Sequence, residues 1–217
     1  MAQLEHVFVE GVRFDTEVQY VARHADRVRH VKLPMRQSTS PRANALTCLL
    51  QCLVILGQLP LKRAAQRFRR TMPLAGTAVD EDGMLAGIRA FDDTIAAKPV
   101  PSTDAQEIGD TALRALRTGG VCIVQFESRD HRRWATVIGV ELDRTTGLAR
   151  TLLLLDAEES EPWACAHNVR IELQSVAGSA VHAGAGLTLN CRHLMGRAST
   201  VRLHRLIVLK DGTSAPS

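Results

Sequence analysis

The chain has 217 residues, 45% hydrophobic and 23% charged, with a formal net charge of +4 at pH 7. That length can bury a full core as one domain, and the composition excludes disordered and fibrous classes. The small basic excess argues weakly for nucleic acid, and no apolar run reaches the ~18 residues that cross a bilayer.

The N-terminal MAQLEHVFVEGVRFD lacks the basic start and apolar run of a signal peptide, so the cytoplasm is the expected compartment. Export without a cleavable signal stays open. A short apolar stretch, HVFV, is followed by a weakly amphipathic segment around Thr16–Ala25, expected on the outside of the core and ended by Pro34. His6, His24 and His30 are not at metal-site spacing and read as surface residues.

Ser40–Gly57, SPRANALTCLLQCLVILG, predicts a helix apolar on nearly every side, which has to be buried. Ser40 suits the N-cap, Pro41 the first helical position and Gly57 the stop. Leu61–Met72 predicts a second helix whose apolar stripe faces inward, with Lys62, Arg63, Arg67, Arg69 and Arg70 outward. That basic face lacks interleaved aromatics and reads as solvated rather than as a nucleic-acid patch. Two more helices are expected over Asp80–Phe91 and Asp104–Arg117, each opening on acidic residues that suit the helix dipole, with KPVPSTD as a linker between them.

From Val121 the period becomes that of strands. VCIVQFE, RWATVIGVE and TLLLLD are strong signals, with Asp143–Gly147 as a hairpin loop. Weaker strands are expected at Val169–Leu173, Leu187–Asn190 and Val201–Leu209, and residues 211–217 as a disordered tail. Residues 1–210 are therefore expected to form one α+β domain, a helical first half packed on an antiparallel sheet from the second. Five cysteines, odd in number and without CxxC spacing, indicate neither a disulfide framework nor a zinc site. Cys48 and Cys52, one turn apart, read as buried small hydrophobes. The glycines of Gly178–Gly186 follow no strand–helix transition and make no nucleotide loop. No cofactor or metal is indicated.

In chain order, Pro34-Met35-Arg36-Gln37 leads into the central helix, and Gly119–Val124 is a glycine-led buried strand. Arg133-Trp134-Ala135-Thr136-Val137-Ile138-Gly139 opens the next strand, Asp156 closes the one after, and Trp163 and Asn168 follow. This order, over residues 32–173, resembles papain-like cysteine peptidases, closest to the bacterial branch of bacteriocin-leader (double-glycine) peptidases. The resemblance implies a papain-like fold. It also implies a cysteine in the helix's first turn, a histidine at the strand head, an aspartate to orient it and a glutamine donor for the oxyanion.

This chain departs from that pattern. Aligned on Gly57, the cysteine position holds Asn44 and the histidine position, just before Trp134, holds Arg133. Only Asp156 and, with a one-residue offset, Gln37 remain. Asn is no thiolate and Arg is no general base. The favoured reading is a catalytically degenerate domain that holds a peptide or protein segment, with no membrane partner. The alternative is an active cysteine peptidase or acyl transferase using Cys48, His131 and Asp156. His131 lies two residues before Arg133, on the same face of an extended strand. Cys48 is harder to place. With Ser40 as cap it sits about 12 Å along the axis, beyond the dipole's reach, so the active reading needs the helix to start near Thr47.

Overall fold

The computed structural model describes residues 3–9, 12–14, 18–24, 27–33, 35, 41–57, 66, 79–91, 93–101, 104–128, 131–160, 162, 165–175, 187–194 and 196–212. Within them the chain is α+β, with three helices and a closed six-strand antiparallel β-barrel. Gln37, Trp163, residues 178–186, the side chains of His24 and His30, and the arginine-rich segment 61–72 apart from Gln66 lie outside the described residues.

The barrel is built from β6 (Val121–Ser128), β7 (His131–Asp143), β8 (Ala149–Leu155), β9 (Val169–Ser175), β10 (Leu187–His193) and β11 (Ala198–Asp211). Around the ring the order is β7-β6-β11-β10-β9-β8, and β8 pairs back onto β7. All six expected strands are present. Each alternates or runs apolar because the barrel buries one face and helices cover parts of the other.

Two long strands carry an extra neighbour on one edge. β7 pairs with β6 through Val137 and then with β1 (Leu4–Phe8) from Gly139 onward. Gly139 is required there, since a Cβ would fall 2.6 Å from the Phe8 ring. β11 pairs with β10 over its first residues and with β5 (Ile95–Pro101) from Arg205 to Asp211. A separate three-stranded meander holds β2 (Val12–Phe14), β3 (Val18–His24) and β4 (Arg27–Lys32).

These strands correct the expectation of a helical first half. Val18, Tyr20, Val21 and Ala22 fit a helical and an alternating pattern equally, and strand pairing decided between them. The KPVPSTD linker is corrected too, since Lys98–Pro101 belong to β5. Prolines are tolerated there because, among the described residues, β5 pairs with β11 alone and stands at an edge. Asp211 and Gly212, expected in the tail, belong to the fold instead: Asp211 pairs with Ile95 and the Gly212 N–H donates to the Thr94 carbonyl. Residues 213–217 lie outside the described residues.

Helix α1 (Pro41–Ile55) starts at the expected proline, and Gly57 closes it at φ +73°. It is buried almost throughout and packs on β7 and β6. Helix α2 (Glu81–Phe91) buries Met84 and Ile88. Helix α3 (Ala105–Arg117) is capped by Asp104, whose side chain accepts the Gln106 N–H at 2.8 Å. It touches β6 and β9, which stand on opposite sides of the ring, so it lies across one end of the barrel.

Antiparallel pairing then fixes what lies at the other end: the C-terminal ends of β6, β8 and β10 and the N-terminal ends of β7, β9 and β11. The close approach of α3 is testable. A Cβ at Gly109 would sit 2.5 Å from Ala149 Cβ and 2.7 Å from Leu173 Cδ1. Gly→Ala inside a helix ordinarily gains up to about 1 kcal/mol, whereas Gly109→Ala should cost about 1–3 kcal/mol by overpacking in urea unfolding.

Candidate functional site

At the end of the barrel opposite α3, side chains from α1, β7, β10 and the turn after β8 converge. Asn44 lies in the first turn of α1 and is fully buried. Its Oδ1 accepts the Trp134 backbone N–H at 2.7 Å, and its Nδ2 donates to Asp156 Oδ1 at 3.2 Å. Asn44 thus ties the helix to the head of β7 and to the end of β8. A cysteine could not replace both bonds, one accepted and one donated, at this reach.

Asp156 follows β8 and is fully buried. Oδ1 also accepts the Glu158 N–H at 3.0 Å. Asn168 brackets its backbone, accepting the Asp156 N–H at 2.8 Å and donating Nδ2 to the Asp156 carbonyl at 2.7 Å. Asp156 Oδ2 faces Arg133 Nε at 3.2 Å, but the N–H is not aligned on the oxygen, so the contact is an ion pair without a hydrogen bond. Burial pushes the Asp156 carboxyl up to about 6, and the neighbouring guanidinium offsets this only in part.

Arg133 is 8% exposed at its side chain. Its guanidinium stands 4.9 Å over the Phe126 ring, and Nη1 donates to Glu159 Oε1 at 3.2 Å and lies 3.7 Å from Glu158. Burial opposes its charge, but Asp156, Glu159 and Glu158 outweigh it and hold the guanidinium more firmly protonated than usual. Glu159 also meets His193 Nδ1 and Arg197 Nη2, each at 3.0 Å. The His193 contact and the Arg133 and Arg197 guanidinium groups hold its carboxyl down at about 2. The mouth opens as a cavity of about 230 Å³ lined by Ser128, His131, Arg133, Arg197 and Ser199.

The structure brings Asn44, Trp134, Arg133 and Asp156 together, while Cys48 and His131 stay apart, with no hydrogen bond between them among the described residues. Cys48 is buried inside α1, its sulfur 3.4 Å from the Thr136 hydroxyl, and burial raises its thiol well above the ordinary range. His131 is 41% exposed at its side chain and contacts Glu158 at 3.0 Å. Thr47 does not start the helix. It lies inside α1, and its Oγ1 donates to the Ala43 carbonyl one turn back. Trp134 is a core residue whose indole N–H donates to the Val79 carbonyl at 2.8 Å.

Sequence reasoning missed Glu158, Glu159, His193, Arg197 and Ser199. The two glutamates follow Asp156 directly, a signal in plain sight. His193 and Ser199 sit across a hairpin whose register the sequence does not show.

Two outcomes test this electrostatic reading. Arg133→Met strands Asp156, Glu158 and Glu159 without their shared cation and should cost about 3–5 kcal/mol in urea unfolding at pH 7. Asp156 has a folded pKa raised above its ordinary 3.8, so its contribution is full below that value and is lost as pH rises through about 6. The stability of the wild type relative to Asp156→Asn should therefore fall between about pH 4 and 6 and flatten above, read from thermal melts at a series of pH values.

Set against protein-family models and curated protein sequences, the chain has no match.

Proposed function

We propose that the chain is a papain-like, cysteine-peptidase-like domain whose catalytic positions have been replaced, and that it holds a peptide or protein segment at the barrel mouth without cutting it. The observation that carries this reading is the convergence of Asn44, Arg133 and Asp156 where helix start, strand head and strand end meet. These are the positions at which the resemblance expects cysteine, histidine and aspartate.

The chemistry of the replacements supports binding over turnover. Asn44 spends both ends of its amide on fixed partners, and Arg133 cannot accept a proton. Cys48, two turns inside the helix, has neither the dipole nor free N–H groups to stabilise a thiolate. The mouth offers hydrogen-bond donors in Arg133, Arg197, Ser128 and Ser199, suited to the carbonyls of an extended segment.

Selection from a displayed random-peptide library tests the reading. Enriched peptides should bind the intact protein and survive incubation with it uncut, by mass spectrometry. Arg197→Ala, at a position that is 54% exposed at its side chain, should weaken them about tenfold or more while leaving the fold intact. A library that yields no binders, or cleavage that Cys48→Ala abolishes, would overturn it.

A further inference from the structure

The barrel mouth holds a second alignment that the Asn44–Asp156 line does not use. His193, the last residue of β10, presents its two ring nitrogens to different partners. Nδ1 lies 3.0 Å from Glu159 Oε1, and Nε2 lies 3.4 Å from Ser199 Oγ and 3.7 Å from Cys191 Sγ. Arg197 Nη2 also approaches Nδ1, at 3.5 Å, but at 3.0 Å it already donates to the same Glu159 oxygen. Although its N–H is not aligned on the oxygen, an Nδ1 lone pair only 3.0 Å from a carboxylate would be repelled, so the proton belongs on Nδ1 and the Nε2 lone pair is left toward the serine hydroxyl. The His193 side chain is 3% exposed, so its orientation is held by packing.

The hairpin explains the placement. Cys191 and Ser199 are opposite residues of the β10–β11 ladder, and His193 lies two residues beyond Cys191 on the same face. Of the two candidate nucleophiles only the serine meets the cavity. Ser199 is half-buried and lines it, whereas Cys191 is sealed beneath, where burial pushes its thiol up to about 12. Arg133 lines the same space, and its Nη2 carries no hydrogen bond among the described residues.

We propose that Ser199, His193 and Glu159 form a hydrolytic triad for small, polar carboxylic esters. The volume of about 230 Å³, lined among the described residues by the side chains of Ser128, His131, Arg133, Arg197 and Ser199, suits a compact acyl group that can accept hydrogen bonds. Ser199 Oγ attacks the ester carbonyl carbon as its proton passes to His193 Nε2, and the carbonyl electron pair moves onto oxygen beside the Arg133 guanidinium. Collapse breaks the bond to the alcohol oxygen, which leaves with the Nε2 proton. Water then attacks the acyl–serine, giving one proton to Nε2. Collapse of that intermediate releases the carboxylic acid and returns this proton to Ser199 Oγ. Glu159 is a positioning residue that holds the ring and offsets the imidazolium. This inference goes beyond the peptide-binding reading and does not rest on it, because the triad makes no use of Asn44 or Asp156.

Hydrolysis of para-nitrophenyl acetate and labelling by a fluorophosphonate test it on the full chain. The wild type should turn over the ester and carry the label on Ser199, located by mass spectrometry. Ser199→Ala should lose about 10³-fold in kcat with its melting temperature unchanged. Cys191→Ala should keep the rate within about threefold, and Glu159→Gln should lower kcat with KM unchanged. A wild type with neither turnover nor label, a label elsewhere, or a Ser199→Ala variant at the wild-type rate would overturn the triad. A Glu159→Gln variant with unaltered kcat would remove Glu159 from it.

Discussion

A guanidinium buried among three carboxylates is the constraint around which the barrel mouth is built. Arg133 is the cation shared by Asp156, Glu158 and Glu159, all lodged in the turn that leaves β8. Without it, that turn would bring three negative charges together at low dielectric. With it, the turn is held against the head of β7. The ring of Phe126 beneath and the Asn44 amide alongside complete its surroundings.

The cost of this arrangement shows in its imperfections. Arg133 Nε and Asp156 Oδ2 are close but misaligned, and Asp156 is harder to ionise than an ordinary carboxyl. A buried ion pair of this kind is a weak source of stability and is retained for what it positions. Here it sets the cavity wall, and through Glu159 it reaches His193 at the end of β10 and Arg197 in the turn before β11. Closure of the barrel makes this possible. Strand ends distant in sequence, such as His131 in β7 and Ser199 in β11, share one mouth because the six strands alternate in direction around a ring.

The α+β class, the six barrel strands and the bounds of α1 were legible in the residues. Pro41, Gly57 and the apolar periods act locally, through backbone sterics and burial that need no distant partner. The proline-containing β5 and the N-terminal β1 were not. Their state was decided by the edges of β11 and β7 that received them. The candidate site divides in the same way. Asn44, Arg133 and Asp156 could be named from order along the chain. Glu159, His193 and Ser199 could not, since nothing in the sequence states which residue of β10 stands opposite which residue of β11.

By itself, then, the sequence put the start of a buried helix at Pro41 with Asn44 in its first turn, and left open whether Cys48 could act. It also determined that β-structure follows, with Asp156 at the close of one strand. Those features follow from local geometry and hydrophobic period. Only the tertiary structure decided that the strands close into a ring, that Arg133 gathers three acids, and that His193 stands between Glu159 and Ser199. Strand register and ring closure are properties of pairs of segments far apart in the chain, and no single segment encodes them.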